Sequence, residues 1–229
     1  MIVAIIPARG GSKRIKGKNI KRFCGKPIIS FPIIAAKKTK LFDKIIVSTD
    51  SKKIASIARK LNVEVPFLRP TKLSGGNIST SAVVSHTIKW LKKRGENPTY
   101  VCCIYPTAVF AKSTDIKKSY KEIKRGNWNY VFLASLTPSK SLRSFKKIKN
   151  NGVRMIFPKN YNVRSQDLEP LYCDVGQFYW GKAKAWLRRM PIFSNLSTII
   201  TKPWNQVCDI DTLGDWINAE AIFKMFKKK

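Results

Sequence analysis

Residues 7–14, PARGGSKR, combine glycines with basic side chains in a pattern that suits phosphate binding. Paired glycines let backbone N–H groups approach a phosphate without an intervening Cβ. Arg9, Lys13 and Arg14 add positive charge, and an arginine can bind two phosphate oxygens at once. The segment is neither a Walker A loop nor a GxGxxG loop, and a solvated turn could have the same composition. Its position directly after the apolar run of residues 2–6 favours phosphate binding.

Asp209-Ile210-Asp211 is the most informative acidic cluster in a chain with 13 acidic side chains. Alternate residues of an extended segment share one face, so the two carboxylates can point the same way. Mg²⁺ prefers hard oxygen ligands, commonly one or two carboxylates together with substrate phosphates and water. A turn or helix-capping role is the alternative, because residues 212–215 begin a predicted helix. The pair is therefore a candidate magnesium site.

Strands and helices alternate along most of the chain, and they must position these two segments. Apolar runs predict strands at residues 2–6, 44–49, 63–67, 100–105, 130–135 and 177–180. Helices are predicted at residues 26–39, 51–61, 79–93, 114–125, 182–190 and 215–228. This alternation predicts an α/β fold, with a Rossmann-like, mostly parallel sheet flanked by helices. Ligands bind beyond the carboxyl ends of such strands, so the loops after Ile6, Val47 and Ile104 should line the site.

Residues 137–171 break this alternation. They are basic, lack a clear helical period and carry short β-like pieces around Phe145, Val153 and Phe157. We interpret the segment as a small, β-rich, hairpin-like arm that makes a dimer contact. The chain shows no internal repeat or low-complexity linker, so residues 1–229 are expected to form a single domain that carries this arm.

The composition bounds the environment of the protein. No apolar run approaches the roughly 20 residues needed to cross a bilayer, so no membrane partner is expected. The apolar N-terminus ends at Pro7 without a basic leader and fits a buried strand better than a signal peptide. The five cysteines form no CxxC pair, which favours free thiols in a reducing cytoplasm.

The charge is strongly positive, with 45 basic and 13 acidic side chains and a formal net charge of +32. A nucleic-acid-binding protein would use such charge to neutralise phosphates. The lysines are scattered from Lys13 to Lys229 rather than clustered, which favours a basic, solvated surface over a nucleic-acid partner. A positive field of this kind would also attract small anionic ligands.

The single histidine, His86, lies between Val84 and Ile88 in a predicted helix, and we interpret it as structural. No Ser/His/Asp set can be assembled around it, which argues against covalent hydrolase chemistry.

The motifs together resemble those of the acylneuraminate cytidylyltransferase family, whose members make CMP-activated nonulosonic acids such as sialic acid. The resemblance begins with IIPARGGSKRIKGKNIK at residues 5–21 and GKPII at residues 25–29. It continues through VSTDS (47–51), VPFLRPTKLS (65–74), CCIYPTA (102–108) and GQFYWG (176–181), and so covers almost the whole chain. CCIYPTA and GQFYWG look most like the pseudaminic acid branch of the family.

The resemblance implies transfer of CMP from CTP to the anomeric hydroxyl of an acidic nine-carbon sugar, with release of pyrophosphate and with Mg²⁺ as cofactor. It implies a CTP-binding set of Ala8, Arg9, Gly10, Gly11, Ser12, Lys18, Asn19, Arg69 and Thr80. Within this set, Arg69 and Thr80 would help to read the cytosine. The magnesium ligands would be Asp209 and Asp211, and the catalytic residues would be Arg9, Lys18 and Asp211.

The sugar site is expected where the loop after the third main strand, the arm and the return strand meet. Its implied residues are Tyr105, Lys140, Arg164, Gln177 and Tyr179, with sheet packing as the alternative for the last two. Relatives specific for sialic acid usually carry Gln where Tyr105 stands and NG at residues 175–176, so the sequence favours pseudaminic acid. A cytidylyltransferase for sialic, legionaminic or ketodeoxyoctonic acid is the neighbouring hypothesis. The resemblance also implies a homodimer.

Overall fold

The computed structural model describes residues 1–137 and 139–227, except for the side chains of residues 139, 140 and 227. The strands of this part are β1 (Ile2–Pro7), β2 (Arg22–Phe23), β3 (Lys26–Pro27), β4 (Lys44–Ser48), β5 (Tyr100–Ile104), β6 (Tyr130–Leu136), β7 (Phe145–Lys147), β8 (Val153–Met155), β9 (Tyr172–Lys182) and β10 (Ser197–Thr201). The α-helices are α1 (Ser30–Thr39), α2 (Lys52–Lys60), α3 (Thr80–Lys92), α4 (Ser113–Arg125), α5 (Ala183–Leu187) and α6 (Leu213–Lys227). None of these helices combines the length and apolar character that crossing a bilayer requires.

Six strands form one sheet in the order β10-β6-β9-β5-β1-β4. β1 pairs in parallel with β4 and β5, and β10 pairs in parallel with β6. β9 runs antiparallel to its neighbours β5 and β6. The predicted α/β fold with a mostly parallel sheet flanked by helices is therefore confirmed, with β9 running against the other strands of this sheet.

Burial on both faces of the sheet explains why its central strands are continuous apolar runs. Ala4 and Ile6 of β1 belong to one hydrophobic cluster, whereas Val3 and Ile5 belong to the other, and all four are fully buried. α6 packs onto the first cluster through the buried ring of Trp216. Because both faces are covered, a ligand must bind where the strands end.

The predicted helix at residues 26–39 begins too early. Lys26–Pro27 is β3, and it pairs with β2 in a two-stranded hairpin. Positive φ angles at Cys24 and Gly25 turn the chain between the two strands. α1 therefore begins only at Ser30, and the proline that suggested a first helical turn lies in a strand.

Other boundaries also differ from the prediction. The strand prediction at residues 63–67 is wrong. Two isolated bridges, Ile46↔Glu64 and Thr49↔Leu68, join this region to β4 and to the residue that follows it. β9 extends well beyond the predicted residues 177–180, and α5 is shorter than the predicted helix at residues 182–190. β10, with the sequence STIIT, is not predicted because its apolar run is too short to stand out.

The arm contains an antiparallel hairpin of β7 and β8, as the β-like pieces of its sequence suggested. Phe145, Val153 and Tyr161 expose 63 %, 60 % and 72 % of their surfaces. The arm thus presents apolar side chains to its surroundings, and its role in dimerisation stays a prediction.

Candidate functional site

A cavity of about 560 Å³ opens where β1 and β5 end. Pro7, the last residue of β1, and Tyr105, which follows β5, both line it. The cavity wall brings together most of the predicted site residues, namely Arg9, Ser12, Lys18, Asn19, Arg69, Thr80, Tyr105, Asp209 and Asp211. The cavity therefore lies where the sheet topology predicts a ligand.

The loop after β1 is held in shape by hydrogen bonds. The Gly10 amide donates to Asp50 Oδ1 at 2.8 Å, and the Ser12 amide donates to the Gly10 carbonyl at 3.1 Å. Asn19 is nearly buried, and its Nδ2 donates to the Arg9 carbonyl at 2.9 Å. Two amides that were expected to face a phosphate are thus engaged within the protein. The Arg9 and Ser12 side chains line the cavity, so they are the groups of this loop that are placed to contact a ligand.

Asp211 joins this loop region to the end of the chain. Its Oδ2 accepts a hydrogen bond from Arg14 Nη1 at 2.9 Å, and its Oδ1 lies 3.2 Å from Lys18 Nζ. Lys18 Nζ also donates to the carbonyl of Ile210 at 2.7 Å. The candidate phosphate-binding and metal-binding segments, nearly 200 residues apart in sequence, therefore meet in one cavity.

The helix-capping role considered for the aspartate pair is filled by Asp215. Its Oδ2 accepts hydrogen bonds from the Asp211 amide at 3.0 Å and the Thr212 amide at 2.7 Å. These bonds, led by the one from the Thr212 backbone, lower the pKa of Asp215. Thr212 Oγ1 in turn accepts a hydrogen bond from the Asp215 amide at 3.2 Å, so Thr212 and Asp215 together cap α6, and neither Asp209 nor Asp211 supplies the cap.

Asp209 lies against Gly176 of β9. Gly176 has a φ of +59°, and a Cβ at this position would come within 2.6 Å of the Asp209 carboxylate. Desolvation and the charge of Asp211 raise the pKa of Asp209, whereas the charge of Lys18 opposes the rise. Within residues 1–137 and 139–227, no group of three or more His, Cys, Asp or Glu side chains converges on a metal site. The two aspartates instead fit a cation whose shell is completed by substrate phosphates, as is typical of Mg²⁺.

Arg69 is a buried cation with unused hydrogen-bonding capacity. The residue is 6 % exposed, and its Nε has no hydrogen-bond partner in the described part of the chain. Its Nη2 lies 3.9 Å from Asp50 Oδ1. Burial lowers the pKa of Arg69, the charge of Asp50 raises it, and the charge of Arg9 lowers it further. Buried polar atoms normally have partners, so this geometry suits a ligand that brings an acceptor to Arg69.

Thr80 and Tyr105 form a polar corner of the cavity. Thr80 Oγ1 and the Tyr105 hydroxyl lie 3.1 Å apart. Burial is the main cause that raises the pKa of Tyr105 to about 12, so its hydroxyl keeps its proton at neutral pH. Behind this corner lies the ring of Tyr179, whose hydroxyl donates a hydrogen bond to the Asp174 carboxylate.

Two residues predicted to line the sugar site lie inside the sheet. Gln177 is 1 % exposed, and its Oε1 accepts a hydrogen bond from the Phe110 amide at 3.1 Å. Its Nε2 donates to the Val175 carbonyl at 3.0 Å. Tyr179 is 3 % exposed. Both residues therefore follow the sheet-packing alternative, because β9 is buried at these positions.

Four of the remaining predicted residues also lie off the cavity wall. Arg164 is exposed on the arm, and the side chain of Lys140 lies outside the described residues. Ala8 is fully buried, and its amide donates to the Ser48 carbonyl at 2.9 Å. Ala8, Gly10 and Gly11 thus shape the loop backbone and do not line the cavity themselves.

The sequence analysis misses the turn of residues 75–78, which lines the cavity between Arg69 and α3. A Cβ at Gly76 would lie 3.3 Å from Arg9 Nη1, so a glycine here lets the guanidinium lie close to the turn. The Gly75-Gly76 pair was the available signal, since paired glycines mark close approaches of the backbone. Thr107 is a second missed residue of the cavity wall.

Comparison with known proteins adds an independent observation. A model of the cytidylyltransferase family matches residues 3–168. Pseudaminic acid cytidylyltransferase of Campylobacter jejuni is 39 % identical over 97 % of this chain and 96 % of that protein. CMP-N,N'-diacetyllegionaminic acid synthase of Legionella pneumophila is 30 % identical over 98 % of this chain and 97 % of that protein.

Among solved structures, CMP:2-keto-3-deoxy-manno-octonic acid synthetase complexed with CTP superposes with a TM-score of 0.72. The alignment covers 98 % of this chain and 99 % of that chain at 13 % identity. At that identity the likeness supports the fold alone.

Proposed function

Because the chain belongs to the cytidylyltransferase family, and is therefore a nucleotidyltransferase, we propose that it transfers CMP from CTP to pseudaminic acid. The observation that carries the reaction is a single cavity whose wall contains Arg9, Ser12 and Lys18 together with Asp209 and Asp211. Nucleotidyl transfer needs a site for a triphosphate beside a site for a divalent cation. These two sets of side chains supply the chemistry of both.

The reaction exchanges one bond to phosphorus for another. The anomeric hydroxyl oxygen of the sugar forms a bond to the α-phosphorus of CTP, in line with the bond that breaks. The bond from the α-phosphorus to the oxygen that bridges to the β-phosphorus breaks, and pyrophosphate leaves with that electron pair. The hydroxyl proton passes to solvent. Arg9 and Lys18 neutralise charge on the leaving pyrophosphate, because such enzymes act mainly by alignment and charge stabilisation.

Asp209 and Asp211 would hold the magnesium ion in this proposal. When bound, the ion would neutralise phosphate charge and acidify the attacking hydroxyl. The raised pKa of Asp209 supports the assignment, because desolvation and the neighbouring negative charge that cause it would both be offset by a divalent cation. Lys18 and Arg14 orient the Asp211 carboxylate through the two contacts described above.

Pseudaminic acid is the proposed sugar for two reasons. The relative that acts on pseudaminic acid shares 39 % of its residues with this chain, against 30 % for the legionaminic acid enzyme. Tyr105 stands where sialic-acid enzymes are expected to carry Gln, and its protonated hydroxyl can donate or accept one hydrogen bond at the cavity wall. Lys13 and Arg14 line the same cavity and could bind the sugar carboxylate.

Pyrophosphate release tests the reaction and the sugar together. The purified protein is incubated with CTP, Mg²⁺ and one of pseudaminic, N,N'-diacetyllegionaminic, N-acetylneuraminic or ketodeoxyoctonic acid. We expect the highest kcat/KM with pseudaminic acid and no release when the sugar is omitted. A higher kcat/KM with another sugar would overturn the sugar assignment, whereas no release with any of them would overturn the reaction.

We also propose a homodimer formed through the arm. The arm exposes the apolar side chains of Phe145, Val153 and Tyr161 within one short segment. Exposed apolar surface of this kind often marks a protein contact, and a second copy of the chain would cover it. Arg164 lies on the same arm and off the wall of its own cavity, so it could serve the cavity of the partner. Light scattering should give a dimer for the wild type and a monomer for Phe145→Ser combined with Val153→Ser. A monomeric wild type would refute this proposal.

A cytoplasmic location is the last part of the proposal. Cys102 and Cys103 are fully buried thiols that form no disulfide, which suits a reducing compartment. CTP is available there as the nucleotide donor.

A further inference from the structure

Asp50 joins two parts of the cavity that come from different segments of the chain. Its Oδ1 accepts a hydrogen bond from the Gly10 amide at 2.8 Å, and the same oxygen lies 3.9 Å from Arg69 Nη2. The backbone reinforces this link, because the Arg69 amide donates to the carbonyl of Thr49 at 2.7 Å. One carboxylate therefore touches both the loop proposed to hold the triphosphate and the arginine proposed to read the cytosine.

Asp50 also faces a concentration of positive charge. Arg9 and Arg69 both line the cavity, and their charges repel each other. Asp50 forms an ion pair with Arg69, whose side chain is only 3 % exposed. Removing one partner of a buried ion pair leaves the other charge uncompensated. The Asp50 carboxylate is thus a counter-charge that the structure supplies to the buried Arg69 side chain.

We propose that Asp50 is a positioning residue that fixes Arg69 at a defined distance from the loop after β1. Arg69 could then contact the cytosine of a bound CTP while the loop contacts its phosphates. The inference rests on the proposed function. Asp50 does not line the cavity and therefore acts through Gly10 and Arg69, not by touching the nucleotide. Its effect is expected in nucleotide binding, because a displaced Arg69 would no longer meet an acceptor on the nucleotide at hydrogen-bond distance.

Asp50→Asn separates the two contacts of the carboxylate. The asparagine oxygen can still accept the hydrogen bond from Gly10, but it carries no charge toward Arg69. We expect CTP affinity to fall about tenfold, since contacts to charged groups contribute more than neutral ones. The preference for CTP over UTP should fall as well, because the base-reading arginine is no longer held. Asp50→Ala removes both contacts and should weaken both nucleotides further.

Asp43, which directly precedes β4, offers a matched control. Its Oδ2 accepts a hydrogen bond from the Ile2 amide at 2.7 Å, at the opposite end of β1 from the cavity. Asp43→Asn makes the same exchange of atoms and charge as Asp50→Asn, but the Asp43 carboxylate binds the Ile2 amide and neither the Gly10 amide nor Arg69. We expect its CTP affinity and its preference for CTP over UTP to match the wild type.

Calorimetric titration with CTP and with UTP, in Mg²⁺ and without sugar, measures these affinities independently of the sugar assignment. Thermal unfolding verifies that each variant is folded. The charge-preserving variant Asp50→Glu should keep more of the preference for CTP over UTP than Asp50→Asn. If Asp50→Asn does not fold, Asp50→Glu is compared with Asp50→Ala instead.

An Asp50→Asn variant with the CTP affinity and the CTP/UTP ratio of Asp43→Asn would overturn the inference. So would an Asp50→Glu variant no better than Asp50→Ala. Either result leaves the proposed function standing, provided that the wild type binds CTP and releases pyrophosphate. A wild type that binds no CTP would overturn both.

Discussion

Substituting Gly176 tests whether the position of Asp209 controls metal use. An ideal Cβ at Gly176 would lie 2.6 Å from the Asp209 carboxylate carbon, whereas ordinary contact begins at 3.4 Å. In Gly176→Ala the carboxylate must therefore retreat by about 0.8 Å, the difference between these distances. Displacement of a catalytic group by about 1 Å can cost roughly a hundredfold in rate. We expect a loss of that size, together with a higher Mg²⁺ concentration for half-maximal rate.

The variant also carries backbone strain that must be separated from this effect. Gly176 has a φ of +59°, and a left-handed conformation costs an alanine about 1–2 kcal/mol. Gly95→Ala is the matched control, because Gly95 has a φ of +76° and a Cβ there would meet nothing within 4 Å. Both variants should lose stability in urea titrations through this backbone cost, and Gly176→Ala should lose more because its Cβ also displaces the Asp209 carboxylate.

Only Gly176→Ala should change pyrophosphate release and its Mg²⁺ dependence. If Gly176→Ala were to match Gly95→Ala in rate and in Mg²⁺ dependence, Asp209 would not be a metal ligand and the reasoning would fail. Partial rescue of Gly176→Ala by raised Mg²⁺ would support it, because a displaced ligand weakens metal binding without abolishing it.

Three further predictions concern single side chains. Asp211→Asn should lower kcat by about a hundredfold or more, since a metal ligand contributes several kcal/mol of charge stabilisation. A circular dichroism spectrum like that of the wild type is the control for folding. A wild-type rate would exclude the metal assignment. Burial, and then the charge of Arg69, lower the pKa of His86, so the free energy of unfolding should fall as the pH drops below the unfolded value of about 6.5. His86→Gln should reduce that fall between pH 7.5 and pH 5.5 in urea midpoints, and an unchanged slope would contradict it. Lys202→Met should destabilise the protein by about 3 kcal/mol in chemical denaturation, because it leaves the Asp115 carboxylate, now 2.7 Å from Lys202 Nζ, without its buried partner; a variant as stable as the wild type would refute this.

The parts of the site that the sequence predicts are those whose chemistry is visible locally. The loop after β1 has an apolar run, paired glycines and arginine within a few residues, and Asp209 and Asp211 stand out because acidic residues are scarce. The sheet order alone does not explain why they meet, since β10, the strand that precedes the aspartates, lies at the opposite edge of the sheet from β1 and β4. Tertiary contacts decide the rest. Nothing local distinguishes Asp50 from a helix-start residue until Gly10 and Arg69 lie beside it.

The wrong helix start at Pro27 and the sheet packing of Gln177, left open as an alternative, share a physical cause. Pro27 favours a first helical turn, but pairing of β2 with β3 satisfies the backbone there instead. Gln177 looks like a polar residue facing a ligand, yet its amide fills hydrogen bonds inside a buried strand. In both cases a local preference is overridden by hydrogen bonds to residues that are distant or in another element, and a single sequence does not reveal those bonds.

The charges of the cavity wall support the metal dependence that the proposed function includes. Its basic side chains are Arg9, Lys13, Arg14, Lys18 and Arg69, and its acidic side chains are Asp209 and Asp211, which leaves an excess of three positive charges. A nucleoside triphosphate brings roughly four negative charges and an acidic sugar brings about one more. The negative charge of the two substrates therefore exceeds the net positive charge of the cavity wall by about two. A divalent cation on the aspartates would close that difference where phosphate and carboxylate oxygens meet. Without the two aspartates, the substrates alone would neutralise the basic side chains of the cavity. With the aspartates present, the charges balance when nucleotide, sugar and a divalent cation are all bound.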